Sequence, residues 1–284
     1  MNDKQLDLSD IPCVSVCIPT YRGSAHLAAT IDSVLEQTHA DFELLIIDDN
    51  SPDETPQVVA RYTDNRIRYL RNPSNLGPEG NWNRCLDEAR GKYFKLLPQD
   101  DTLFPDAIER QVGVLESDQE ERIALVFGSR KIINAQGKVM AARGYPGGRD
   151  GELDAGSLIR RCVLYGTNLI GEPGSVLLRR SLAEQIGAFD ASVPYIIDLD
   201  YWTRLLAHGN AYYLLNPVST FRVSPGSWSV AIGTRQSDEY RRFIAKMSEQ
   251  GRWNLTLIDV LVGNVMARLN NLMRLIFYKV ALRK

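Results

Sequence analysis

Between residues 14 and 115 the apolar positions alternate between a short period and a helical one. Val14-Ser15-Val16-Cys17-Ile18 is a β-rich run that stops at the loop Pro19-Thr20-Tyr21-Arg22-Gly23. Leu27, Ile31, Val34 and Leu35 then recur at helical spacing, with Ser24 in position to cap that helix. Residues 42–47 are almost continuously apolar, as in a strand covered on both faces, and they lead into Asp48-Asp49-Asn50. Ser51-Pro52-Asp53-Glu54 reads as a capping box with proline at the first helical position. Residues 67–70 predict a short strand, 81–89 a helix, and 93–97 a strand that runs into Pro98-Gln99-Asp100-Asp101; Pro105 then opens a helix to Leu115. Such alternation predicts an α/β fold with a mostly parallel sheet flanked by helices. In that architecture the loops leaving the carboxyl ends of strands gather at one edge, where ligands bind. The loops holding Tyr21, Asp49 and Asp101 are therefore expected to meet.

The second half is less regular. Residues 123–127 predict a strand, and Asn134-Ala-Gln-Gly-Lys138 a hairpin turn between short strands. Residues 141–156, with Gly144, Gly147, Gly148, Gly151 and Gly156, predict a mobile loop. Gly171-Glu172-Pro173-Gly174 precedes an apolar run over 175–178, and residues 199–206 predict a helix ending near Gly209. From Ile258 onward, Leu261, Val265, Leu269, Leu272, Ile276 and Val280 recur every three or four residues. That stripe suits a helix packed on the body or on another subunit in a homo-oligomer. It also suits a helix lying on an anionic membrane, where Arg268, Arg274, Lys279, Arg283 and Lys284 meet lipid headgroups.

Composition narrows the classes. With 284 residues, 44% hydrophobic and a net charge of −2, the chain is long enough for a substantial core and lacks the basic excess of a general nucleic-acid binder. Residues 252–284 nevertheless carry six basic side chains and one acid, so the remainder is an acidic body with a basic, apolar tail. No apolar run reaches the roughly 18 residues of a membrane-spanning helix. The polar, acidic start MNDKQLDLSD is unlike a signal or transit peptide, which predicts a cytoplasmic protein. Cys13, Cys17, Cys85 and Cys162 form no CxxC pair and the three histidines are scattered, against a structural zinc site or a disulfide framework.

No GxGxxG follows the first strand, and neither GxxxxGK[ST] nor GxSxG occurs, which disfavours dinucleotide redox chemistry, a P-loop and an α/β-hydrolase. The strand-end loops carry carboxylates instead. Carboxylates repel bare phosphates and hold them through a divalent cation, Mg²⁺ or Mn²⁺. Tyr21 offers a stacking face for a base. The residues alone thus point to a metal-assisted site for a nucleoside diphosphate compound, the competing reading of Asp48-Asp49-Asn50 being ordinary turn chemistry.

Three segments in order carry a family likeness: VSVCIPTYRGSAHLAATIDSVLEQTHADFELLIIDDNSPDET, LPQDDTLFPDAI and IGAFDASVPYIIDLDYWTRLLAHG. Together they resemble glycosyltransferase family 2, the inverting enzymes of GT-A fold, over roughly residues 12–225. The resemblance implies a Rossmann-like GT-A domain over 1–225 and a helical extension over 226–284. It implies donor binding by Pro19, Thr20, Tyr21, Asp49 and Asp100, with Asp48 supporting the turn, and a divalent cation on Asp101. Asp198 falls on the general base position and Asp200 on a second acidic position, with Trp202 and Arg204 following in the same motif. Glu172 and Arg204 would border the sugar or acceptor. The implied partners are a UDP- or dTDP-sugar donor and a glycan or lipid-linked acceptor, on the inner face of the membrane, in surface polysaccharide or glycoconjugate assembly. Two departures stand out. Ser224 occupies a position where many members carry a metal-assisting His, and Gln99 precedes the aspartates where Asp is common. The rivals are a sugar-1-phosphate nucleotidyltransferase, which would want a Gly-rich loop in place of Pro19-Thr20-Tyr21, and a non-catalytic nucleotide-sugar-binding protein.

Overall fold

A computed structural model describes residues 11–224 and 233–281. The start MNDKQLDLSD, Arg283 and Lys284, and the side chain of Val280 lie outside what is described.

The strands β1 (Val14–Thr20), β2 (Phe42–Asp48), β3 (Ile67–Arg71) and β4 (Tyr93–Leu96) pair in parallel in the order β3-β2-β1-β4. All seven residues of β2 are buried, because helices cover both faces. On one face α1 (Leu27–Leu35) and α4 (Ala107–Ser117) bring Ile31, Val34, Ile108 and Val112 into one apolar cluster. On the other face α3 (Gly77–Glu88), α5 (Ala155–Tyr165) and α7 (Ile197–Leu205) contribute Cys85, Leu158, Ile159 and Trp202 to a second. Shorter α2 (Thr55–Val59) and α6 (Arg180–Ile186) complete the chain order before the extension.

Beyond β4 the sheet becomes mixed. β5 (Ile123–Asn134), β6 (Val139–Arg143), β7 (Gly151–Leu153), β8 (Val176–Arg179) and β9 (Asn210–Val223) extend it as β4-β8-β5-β9-β7, with β6 hairpinned onto β5. β8 runs antiparallel to both β4 and β5, while β5 and β9 are parallel.

Several local expectations change. Ser24 does not cap α1; its hydroxyl donates to Asp53 at 2.7 Å. Ser51 does not cap α2 either, since its oxygen accepts the Arg22 N–H, and Asp53 takes the Thr55 N–H instead. Helix α3 begins a turn earlier than the apolar spacing suggests, and β5 continues well past Phe127. The Gly-rich segment 141–156 is no loose loop: it holds the end of β6, all of β7 and the buried Tyr145. Two of its glycines serve packing, because a Cβ on Gly144 would lie 2.3 Å from the Tyr213 hydroxyl and one on Gly148 2.7 Å from the same ring.

The extension forms α8 (Gln236–Glu249) and α9 (Leu257–Ala281). Here one of the expected packings of the apolar stripe is excluded. Helix α9 docks through small and polar residues: Gly263 approaches the Val163 carbonyl, Ala267 approaches Gly166, Asp259 pairs with Arg160 at 2.9 Å, and Asn270 donates to the Tyr165 carbonyl at 2.5 Å. Gly166 ends α5 at φ +61° with no room for a Cβ against the Ala267 backbone. The apolar stripe points away from the body: Leu261, Val265, Leu269, Leu272 and Ile276 are each 48–58% exposed. Packing of that stripe on the body is thereby overturned. No described helix is long and apolar enough to cross a membrane.

Candidate active site

The carboxyl ends of β1, β2 and β4 open onto one cavity of about 780 Å³. Pro19, Thr20, Tyr21, Asp49, Asp100, Asp101, Glu172 and Asp198 all line it. Asp200 and Arg204 are not among its lining residues.

Gln99 fixes the first loop. Its Oε1 accepts from the Thr20 hydroxyl at 2.5 Å and from the Tyr21 N–H at 2.9 Å, while its Nε2 donates to the Tyr21 carbonyl at 3.1 Å. Tyr21 is 40% exposed and lines the cavity, with the Arg22 guanidinium 5.3 Å from its ring centroid. An Asp at position 99 could accept but not donate, which gives the departure from the motif a physical purpose.

The second loop is internally tied. Asp48 is fully buried and accepts from the Ser51 N–H at 2.8 Å and the Tyr69 hydroxyl at 2.7 Å. Asp49 accepts from Asn72 Nδ2 at 2.6 Å and from the N–H groups of Leu76 at 2.7 Å and Gly77 at 2.9 Å. Three of its roughly four acceptor positions are thus spent holding the entry to α3.

Asp101 is 1% exposed and accepts the Arg222 N–H at 2.8 Å. Burial, reinforced by the charge of Asp100, pushes its carboxyl well above the usual carboxylate range. Burial raises Asp100 too, against the pull of His26 and Arg222. A buried acid beside a half-buried one, both facing a cavity, is the electrostatic condition a cation relieves. Among the described residues no cluster of three or more His, Cys, Asp or Glu could form an all-protein cage. The donor set therefore fits a divalent ion held by one or two carboxylates and completed by substrate oxygens.

Asp198 starts α7. Its Oδ1 accepts the Leu199 N–H at 2.7 Å and its Oδ2 accepts from Asn168 Nδ2 at 3.1 Å. Asn168 is held in turn, its Oδ1 accepting the N–H groups of Ile170 and Gly171 at 3.0 and 2.9 Å. Burial, with a smaller push from the Glu172 charge, raises Asp198 to about 7. Glu172 behaves oppositely. Burial works to raise it, but ion pairing with Arg130 and the charge of Arg143 hold it below its ordinary value.

Asp200 sits on the far side of the same helix turn, 3% exposed, taken by Arg204 at 3.2 Å and Lys246 at 2.5 Å. Arg204 also donates to the carbonyls of Ile186 and Ala188 at 3.2 and 2.8 Å. The two tie α7 to α6 and α8, so neither is positioned for chemistry at the cavity, contrary to the sequence expectation.

The opposite wall comes from residues outside the three motifs. Arg143 reaches it from the β5/β6 hairpin, and Tyr240, Asn270, Arg274 and Phe277 from the extension, while Arg130 of β5 stands behind it, paired with the lining Glu172. Arg130 is 2% exposed; a charged residue inside an apolar strand was a readable signal, because such residues are almost never fully buried unless paired. Arg274 carried no such signal within a basic tail.

Residues 15–187, more than half of the chain, match Glycosyl transferase family 2. Among curated relatives, the uncharacterized protein MT1568 of Mycobacterium tuberculosis is 31% identical over 217 residues, covering 74% of this chain and 67% of the relative. WfaP of Escherichia coli, a UDP-Glc:alpha-D-GlcNAc-diphosphoundecaprenol beta-1,3-glucosyltransferase, is 27% identical over 219 residues, covering 76% of this chain and 79% of that one. Coverage is uneven, since the chain spans only 34% of an uncharacterized glycosyltransferase from Rickettsia bellii. Among solved structures, Staphylococcus aureus TarS 1–349 in complex with UDP-GlcNAc matches with a TM-score of 0.67 at 17% identity, covering 92% of this chain and 72% of that chain. The mannosyltransferase PcManGT of Pyrobaculum calidifontis, in complex with GDP-Man and Mn²⁺, matches with a TM-score of 0.64 at 18% identity, covering 95% and 74%. The sheet is that of the GT-A fold, and the chain belongs to glycosyltransferase family 2 as a glycosyltransferase.

Proposed function

We propose that this chain transfers a sugar from a nucleotide-sugar, a UDP- or dTDP-sugar, to a hydroxyl of a lipid-linked acceptor, inverting the anomeric centre. One observation carries the reading: Tyr21, Asp101 and Asp198, far apart in sequence, border a single cavity of about 780 Å³. Tyr21 stacks on the base while Pro19 and Thr20 line its pocket. Asp49 works chiefly by holding the loop over the nucleotide. Asp100 and Asp101 face the ribose and diphosphate, and Asp101 holds a divalent cation, Mn²⁺ or Mg²⁺. Such an ion, when bound, neutralises charge on the departing nucleoside diphosphate. Asp198, in its ionised form, takes the proton from the acceptor hydroxyl as that oxygen attacks. Glu172, kept ionised by Arg130, borders the reacting sugar.

The lipid-linked acceptor is suggested by the acceptor named for WfaP and by the exposed apolar stripe of α9. On this reading residues 1–225 hold the donor, and 226–284 meet the inner, anionic face of the membrane in a cytoplasmic protein. Vesicle flotation checks the stripe: binding to anionic vesicles is expected, and it should be lost when charge is inserted into the stripe by Leu269→Asp with Leu272→Asp. A stripe that binds no vesicles and instead pairs two copies of the chain overturns the membrane reading.

The donor is tested by thermal shift with nucleoside diphosphates and nucleotide-sugars, because a ligand of the native state raises stability by RT ln(1 + [L]/Kd). The true donor is expected to stand out, and Tyr21→Ala to weaken it by about 5–150-fold, the equivalent of a stacking contribution of about 1–3 kcal/mol. A response unchanged by loss of the ring would remove Tyr21 from the base pocket.

A further inference from the structure

Directly after α5, Thr167 presents its hydroxyl to two guanidinium groups at once. Arg143 Nη2, from the end of β6, and Arg274 Nη2, from α9, each lie 3.4 Å from Thr167 Oγ1. Both arginines and Thr167 line the cavity. Among the described residues neither arginine forms an ion pair with a carboxylate, and Glu172, the acid that acts on Arg143, is already held by Arg130. Arg274 is braced by Gln236 Oε1 at 2.5 Å and by the Tyr195 ring at 5.4 Å. Burial, with the charges of Arg130 and Arg274, pushes the Arg143 guanidinium downward from its ordinary value. Two like charges fixed on one hydroxyl by separate elements repel each other. An anion between them removes that cost, and planar guanidinium forks match phosphate oxygens.

Two features say whose anion it is. The donor side of the cavity carries Asp100 and Asp101, whereas the arginine pair adjoins the base: both arginines meet Thr167, and the next residue, Asn168, donates to Asp198 at 3.1 Å. Helix α9 also joins the site to its own exposed apolar stripe: Met273, 59% exposed, and Phe277 line the cavity beside Arg274. A ligand with a phosphate at one point and a hydrocarbon tail leading outward fits this arrangement. We propose that Arg143 and Arg274 bind the phosphate or diphosphate that joins the acceptor sugar to its lipid, presenting the sugar hydroxyl to Asp198. The proposal rests on the transferase reading above and extends it to a specific acceptor subsite.

The test offers one acceptor sugar in two forms, a short-chain polyprenyl diphosphate ester and an uncharged alkyl glycoside, to wild type, Arg143→Gln and Arg274→Gln. Wild type is expected to favour the diphosphate form, and each substitution to raise KM for it by about tenfold or more, as expected for loss of a charge-assisted hydrogen bond. The KM preference between the two forms should collapse, and Arg274→Lys should restore part of it. Inorganic pyrophosphate, added with the divalent cation kept in excess, should compete with the acceptor as well as with the donor. Equal KM for both forms in wild type overturns the proposal, as does pyrophosphate that competes only with the donor. Variants that lose vesicle binding but keep their KM for the short-chain diphosphate overturn it too, by assigning the arginines to lipid headgroups. Donor hydrolysis by water is followed in the same samples. Absence of donor consumption counts against the transferase reading, while normal consumption without diphosphate preference counts against this subsite alone.

Discussion

Replacing Asp198 with Asn is expected to lower kcat by about 10²–10⁴-fold, the usual contribution of a positioned general base, while nucleotide affinity stays at the wild-type level. The expectation combines position with ionisation. Asp198 borders the cavity, and both its oxygens are held by donors, Leu199 N–H and Asn168 Nδ2. Burial and the Glu172 charge leave its carboxyl at about 7, where a base retains real proton affinity near neutral pH. Because the ionised form is the working one, turnover should be present above pH 7 and fall as pH drops below it. Glu172→Gln removes a like charge and frees Arg130 to act on Asp198, so this acidic limb should move to lower pH. A pH–kcat profile measures both. Since Asn sets an amide against one of the two donors, nucleotide binding in the same preparation serves as the folding control. Full turnover in the Asn variant would sink the assignment; so would an acidic limb that Glu172→Gln leaves in place.

The contrast with Asp200 shows what a motif in sequence can and cannot say. Both acids sit in the first turn of α7, and Arg204 follows Asp200 by four residues. That spacing is equally the signature of an i,i+4 ion pair. Only the third dimension separates them, by bringing Lys246 of α8 to Asp200 and Asn168 to Asp198.

The parallel half of the fold was legible for a simple reason. Strands buried on both faces must be apolar runs, and parallel strands must send their following loops to one edge. Tyr21, Asp49 and Asp101 could therefore be brought together from sequence alone. The arginine wall could not, because it depends on the β5/β6 hairpin and on α9 folding back over α5. Two rules of thumb also failed for physical reasons. The glycines of 141–156 signalled looseness, but Gly144 and Gly148 admit Tyr213 where a Cβ would clash. The apolar stripe of α9 left packing on the body as one reading, whereas a close helix crossing wants small residues, and Gly263 and Ala267 supply them.

Asp101→Asn is expected to abolish the Mn²⁺-dependent part of the stabilisation that a nucleoside diphosphate gives, and to cost about 10²–10³-fold in kcat/KM, the scale of one lost electrostatic stabiliser. The substitution suits the site, because Asn keeps an oxygen for the Arg222 N–H and removes only the charge. The wild-type carboxyl is raised by burial and by the Asp100 charge, so it holds its proton more tightly than an ordinary carboxyl, and a cation competes with that proton. A cation that binds there displaces the proton, and its affinity should therefore rise with pH and fall as the medium becomes acidic. Asp100→Asn sharpens the test. Loss of that neighbouring charge lowers the pull on a cation but also eases proton release from Asp101, so metal dependence should be weakened and not lost. Thermal shift of the two variants with nucleoside diphosphate, with Mn²⁺ and with chelator, distinguishes them. If the Asp101 variant keeps the wild-type response to Mn²⁺, the ion is held elsewhere, and the adjacent pair of acids needs another explanation.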